Sequence, residues 1–164
     1  MTMPDLAMHI LDIMENSTRA EAKHISLEIV EDHASNSMAI TVSDDGKGMT
    51  AAELNRVLDP FYTTKTERRT VGLGLPLLKE TAEQAGGSLA VSSAPRKGTE
   101  VRVRMALDHI DRPPMGDINQ ALQIVIATNP GVLFDVTYTV DGETETFTTR
   151  DDPQGNGGVP DNTV

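Results

Sequence analysis

The stretch VSDDGKGM, residues 42–49, runs two carboxylates straight into two glycines. Before it, MAITVS (38–43) alternates apolar and polar residues, as does ISLEIV (25–30), and the polar turn EDHASNS joins the two into a strand pair. After it, Thr50 and Glu53 are spaced as a capping box and Met49 and Leu54 as a hydrophobic staple, so a short helix is expected from Thr50. The acids and glycines thus occupy the passage from a strand to a helix.

Further out, residues 4–23 read as a helix, because Leu6, Ile10, Ile13 and Met14 recur on one face and Pro4 is tolerated near the start. The opposite face is expected to carry His9, Asp12 and Asn16. The segment PFYTTKTERRTVGLGL (60–75) is polar and aperiodic and ends in glycines, which predicts a long loop. A helix is expected over 75–85, with Pro76 in its first turn and Gly86 and Gly87 as its stop. SLAVSSA and TEVRVRMAL then read as two strands closed by the turn PRKG. This order predicts an α+β fold, a two-layer sandwich of a mixed sheet with helices on one face, over residues 1–108.

Residues 109–150 are read as a small C-terminal segment. It holds a linker, an amphipathic helix with Ile118, Ala121, Leu122, Val125 and Ile126 on one face, and a β-hairpin around Asp141 and Gly142. Residues 151–164, rich in Gly and Pro, are expected to be a disordered tail.

Composition narrows the function classes. With 38% hydrophobic and 24% charged residues the chain suits a globular protein, and no run reaches the roughly 18 apolar residues of a membrane span. The N-terminal run carries acids and lacks a basic region, unlike a signal peptide, so a cytoplasmic protein without a membrane partner is expected. The absence of cysteine excludes disulfides, thiolate metal sites and a cysteine nucleophile. A net charge of −11 disfavours nucleic acid as a partner, since phosphate binding rests on Lys and Arg.

Several chemistries use acids beside glycines. A calcium-binding helix-loop-helix with Gly46 at its sixth position would need acids where Thr41 and Ala52 stand, so it fails. The phosphate-binding patterns GxxxxGK[ST] and GxGxxG are absent. By itself the segment reads equally well as a plain Asp-Gly turn. Its company points elsewhere. Asp12 and Asn16 stand one helical turn apart, a spacing that lets a carboxylate and an amide oxygen address one metal-bound phosphate. Asp44 at a strand end can accept from an exocyclic amine, and Gly46 and Gly48 allow close approach of a flat ring to the backbone. GLGL precedes a helix N-terminus, where free N–H groups favour phosphate.

Five boxes in this order resemble the ATPase superfamily of DNA gyrase, the heat-shock protein 90 chaperones, histidine kinases and the mismatch-repair MutL proteins. They are DIMENS (12–17), DDGKGM (44–49), DPFYTTK (59–65), GLGLPLLKETAEQAGG (72–87) and RKGTEVRV (96–103). The last three look most like a histidine kinase catalytic domain, and the first as much like MutL. The resemblance implies a Bergerat-type ATP-binding fold with ATP and Mg²⁺ as cofactors. Asn16 would bind Mg²⁺ and Asp44 the adenine amine, with Gly46, Gly48 and Thr99 around the base. The loop 61–71 would be a lid in which Lys65, Arg68 or Arg69 offsets phosphate charge, and Gly72 and Gly74 would lie at the phosphates.

Two departures qualify the match. Asp12 stands where hydrolysing members carry a glutamate that activates water; it is one methylene shorter, and general-base catalysis depends on geometry before pKa. Thr70 stands where histidine kinases begin their glycine run. No phosphoacceptor hairpin is read before the Asn-bearing helix, so a stand-alone histidine-kinase-like domain is expected, with His9 an ordinary helix-face residue. His24, His33 and His109 match no metal spacing. The implied function is an ATP-binding regulatory protein, a small ATPase or a protein kinase of histidine-kinase or anti-sigma-factor type. Its protein partner and oligomeric state are not given by the residues. The alternative is a non-catalytic nucleotide sensor that presents its C-terminal segment to a partner.

Overall fold

The structure is a computed structural model and describes residues 4–59 and 74–151. The lid expected over 61–71 with Lys65, the phosphate-end Gly72, and all but Asp151 of the tail expected over 151–164 lie outside the described residues.

Helix α1 spans Leu6–Arg19 and begins at Asp5, whose carboxylate accepts from the Met8 N–H. It is shorter than the 4–23 expected, because the chain turns out of the helix at Ala20 and takes a left-handed conformation at Glu21 (φ 65°). Strands β1 (His24–Asp32) and β2 (Ser37–Asp44) follow as an antiparallel pair. The capping box forms at Thr50 and Glu53 and opens α2, Ala51–Val57. Helix α3 (Gly74–Gln84) leads into β3 (Ser88–Ser93) and β4 (Thr99–Ala106); α4 (Ile118–Ala127) leads into β5 (Leu133–Val140) and β6 (Glu143–Thr148).

The six strands form one sheet in the order β3-β4-β2-β1-β5-β6. Only the β1–β5 pairing is parallel, so the sheet is mixed and the fold is α+β. Alternate residues point to one face, where Ile25, Leu27, Ile29, Met38, Ile40, Val42, Val101, Val103, Phe134 and Val136 are buried under the helices. On the other face Glu28, Arg102 and Arg104 are exposed. The C-terminal helix and hairpin therefore continue the first sandwich. Strand β5 pairs with β1 over eight positions, and α4 packs against α1. The linker also closes the start of α1: Pro114 and Met115 carbonyls accept from the Leu6 and Ala7 N–H groups.

Polar side chains fasten the hairpin to β1. His24 Nε2 meets Asp135 Oδ2 at 2.5 Å, which Arg150 also approaches at 3.2 Å, and the Tyr138 hydroxyl donates to Glu31. At the far end Asp141 accepts from the His33 backbone N–H and bonds its ring Nδ1, both at 2.8 Å. Hydrogen bonds from His24, Thr148 and Arg150 keep the Asp135 carboxyl below the ordinary carboxylate value, against the opposing effect of burial.

One expectation about α1 is corrected. By helical spacing His9 stands on the same side of α1 as Asp12 and Asn16, yet it is not on an open face: it is 2% exposed and packed among Leu6, Ile10, Ile13 and Leu78, because α3 covers that flank of the helix. Burial lowers its pKa, with Asp5 opposing, and its Nε2 has no hydrogen-bond partner among the described residues.

Candidate functional site

The motif at residues 44–49 lies where β2 leaves the sheet, directly beneath the C-terminal end of α1. Lys47 N–H donates to the Ala20 carbonyl at 2.9 Å, tying the glycine segment to the helix. Gly46 is needed for this approach: a Cβ there would stand 2.8 Å from the Ala20 carbonyl oxygen. Gly48 has φ +67°, and a Cβ would come within 1.9 Å of the Ala94 carbonyl oxygen.

Between α1, the motif, α3 and β4 lies a cavity of ≈ 220 Å³. Its polar lining includes Asn16, Ser17, Asp44 and Thr99; Ile13, Val42, Leu75 and Val101 supply apolar walls, and Arg19 and Lys47 add positive charge. Asn16, Asp44, Gly48 and Thr99 thus line one cavity. Gly46 does not line the cavity, but its N–H donates to Asp44 Oδ1 at 2.8 Å. Gly74 begins α3, and a Cβ there would pass 3.5 Å from Asp12 Cβ, so this glycine and Asp12 sit side by side. Asp12 is exposed and lies outside the cavity lining. Partial desolvation and then Glu15 raise its pKa above the ordinary carboxylate value, with Arg19 opposing.

Asp44 pairs in register with Ile25 and with Thr99, which fixes its place near the ends of both ladders. Its Oδ2 accepts from Ser17 Oγ at 2.6 Å. The Thr99 hydroxyl meets Ser93 Oγ at 2.8 Å, and Ser93 accepts from the Met49 N–H, so the motif is also held from β3. Asp45 has a different task from its neighbour. Exposed itself, it accepts from the Lys23 and His24 N–H groups at 2.8 and 3.0 Å and so anchors the start of β1. Those backbone bonds outweigh desolvation and lower its pKa.

Sequence reading missed Ser17, Arg19 and Lys47. Ser17 and Arg19 follow Asn16 in the last turn of α1, and Lys47 stands between the two glycines, so closeness to residues already singled out was the available signal. Arg19 Nη1 donates to Asn16 Oδ1 at 2.8 Å, and both residues line the cavity. No group of three or more His, Cys, Asp or Glu side chains among the described residues could hold a metal alone.

Comparison with known proteins gives this arrangement a family. Residues 3–109 match the model of the histidine kinase-, DNA gyrase B-, and HSP90-like ATPases, and the chain belongs to that family. It is 30% identical over 114 residues to the sensor histidine kinase ZraS of Escherichia coli (strain K12), a match covering 69% of this chain and 24% of that protein. It is 30% identical over 93 residues to sporulation kinase A of Bacillus subtilis (strain 168), covering 57% of this chain and 15% of that protein. The matched region thus spans a quarter or less of either relative. A crystal structure of the N-terminal domain of a DNA repair protein superposes with a TM-score of 0.63 at 18% identity, covering 92% of this chain and 54% of that one. That likeness in fold reaches past residue 109 into the C-terminal helix and hairpin. Family membership implies a nucleotide-binding domain, and among the described residues no helix is long and apolar enough to cross a membrane.

Proposed function

We propose that the cavity binds Mg²⁺-ATP and that the protein is a regulatory ATPase or protein kinase of the histidine-kinase-like class, acting on a protein partner. The observation that carries this reading is the convergence of Asn16, Asp44, Gly48 and Thr99 on one cavity of ≈ 220 Å³. That volume is below the about 300–1,000 Å³ of drug-sized sites, so it suits the base end of a nucleotide, with the phosphates reaching toward Asn16 and the first turn of α3.

In this reading the Asp44 carboxylate accepts from the adenine amine, and Val42, Leu75 and Val101 exclude water from the ring. Asn16 offers its amide oxygen to the metal, once Arg19 releases it. A single protein ligand fits magnesium, which keeps most of its coordination for water and phosphate oxygens. The ion, when bound with ATP, offsets phosphate charge. The N-terminus of α3, which begins at Gly74, would meet phosphate oxygens with the positive end of its dipole and its first-turn N–H groups. Gly72 and Lys65 are proposed to complete the phosphate end, and Asp12, beside Gly74, to orient or deprotonate an attacking water. Its raised pKa is the direction a base working near neutral pH requires.

A non-catalytic sensor is the second reading. The exposed position of Asp12, outside the cavity lining, favours it. Phosphate release from Mg²⁺-ATP, measured for the wild type and Asp12→Ala with binding checked in both, separates the two. Release that disappears in the variant while binding persists supports the ATPase. A wild type that binds ATP tightly and releases no phosphate, even with candidate protein acceptors present, supports the sensor.

A further inference from the structure

This inference rests on reading the cavity as an adenine nucleotide site, and it concerns what sets the choice of base. Ser17 is 4% exposed and is the only fully buried polar side chain among the described residues that line the cavity. A buried serine within a helix ordinarily bonds back to the carbonyl four residues earlier. Here that carbonyl, of Ile13, is 3.4 Å from Ser17 Oγ, whereas Asp44 Oδ2 is 2.6 Å away. The hydroxyl has one proton, and the nearer, charge-assisted acceptor takes it.

Asp44 is consequently held between two donors, Ser17 Oγ on Oδ2 and the Gly46 N–H, 2.8 Å from Oδ1. Its remaining lone pairs, and those of a serine whose proton is committed, offer only acceptors to whatever edge of a base reaches them. A purine with an amine at position 6 brings donors to that place. A purine with a carbonyl there sets an acceptor against the Asp44 carboxylate and moves its donor, the N1–H, one ring position away; sites built to pair a donor discriminate strongly against such a change. We propose that Ser17 is a positioning residue for base selectivity, clamping Asp44 so that the cavity takes a 6-amino purine and refuses a 6-oxo purine.

ATP and ITP differ at the 6 position of the base, so the ratio of their dissociation constants reads the clamp. The ratio is measured for the wild type, Ser17→Ala, Ser17→Thr and Asp44→Asn, with unfolding midpoints taken in parallel. Ser17→Ala is expected to reduce the preference for ATP about tenfold, the worth of one ordinary hydrogen bond, mostly through weaker ATP binding. Ser17→Thr, which keeps the hydroxyl, is expected to retain the preference. If Ser17→Ala fails to fold, Ser17→Cys, close in size and a far weaker donor, takes its place. An unchanged ratio, or an equal loss of affinity for both nucleotides, would overturn the proposal, because serine would then only fill space. Asp44→Asn separates the two layers of the argument. If it leaves the ratio intact, the adenine site itself is misassigned; if it collapses the ratio while Ser17→Ala does not, the clamp alone fails.

Discussion

The seam where the β5–β6 hairpin joins β1, and the cavity at the end of α1, use polar side chains in different ways. In the C-terminal part, Asp135, Tyr138 and Asp141 bond His24, Glu31 and His33 and so hold β5 and β6 against β1. In the family-matched part, Asn16, Asp44 and Thr99 border a cavity, and Asp44, with two donors satisfied, keeps acceptor capacity on that side. The contrast separates scaffold from site: polar groups bonded to one another across strands position the sheet, while polar groups left facing a concave, apolar-walled space are available to a ligand.

Substitutions on either side test this division between scaffold and site. The largest effect is expected at Phe134, 0% exposed under the helices: Phe134→Ala should cost about 3–5 kcal/mol in urea unfolding while leaving ATP affinity of the folded protein unchanged. A parallel loss of affinity would show that the two parts are coupled. Asp44→Asn should do the reverse, weakening ATP binding by about 1–3 kcal/mol in calorimetric titration with the unfolding midpoint little moved.

His9 gives a pH dependence of defined sign. Burial holds its pKa in the folded chain below the ordinary 6.5, with Asp5 opposing, so the unfolded chain binds a proton more readily than the folded chain does. Stability from this residue is complete above that pH and falls as pH drops through it, by up to about 1.4 kcal/mol per unit. His9→Leu should flatten that part of the curve; an unchanged slope would place the titrating group elsewhere. The smallest effect is expected at the exposed Asp141, where Asp141→Asn keeps a residue type tolerant of the left-handed backbone (φ 50°) and should leave the unfolding midpoint within error.

Much of this was legible in advance, for local reasons. Strand alternation, the Thr50–Glu53 capping box and the Asp141-Gly142 turn are signals carried by neighbouring residues, and each element lies within two or three residues of where those signals place it. The Asp12 and Asn16 spacing and the strand-end Asp44 likewise needed no tertiary knowledge. The parallel pairing of β1 with β5 joins residues about a hundred positions apart, and nothing in either strand names its partner. Burial of His9 depends on α3 covering one flank of α1. Ser17 is silent for the same reason: a serine in a helix is ordinary until the fold brings a carboxylate to 2.6 Å.

Whether the cavity is the nucleotide site is read by following the backbone amide resonances of the protein as Mg²⁺-ATP is added. Nucleotide bound in the cavity should give saturable shifts at Ser17, Asp44, Gly46, Gly48 and Thr99, with the amides of Thr137 to Thr146 in the hairpin almost unmoved. Shifts concentrated in the hairpin, or none around the cavity at saturating nucleotide, would contradict that assignment.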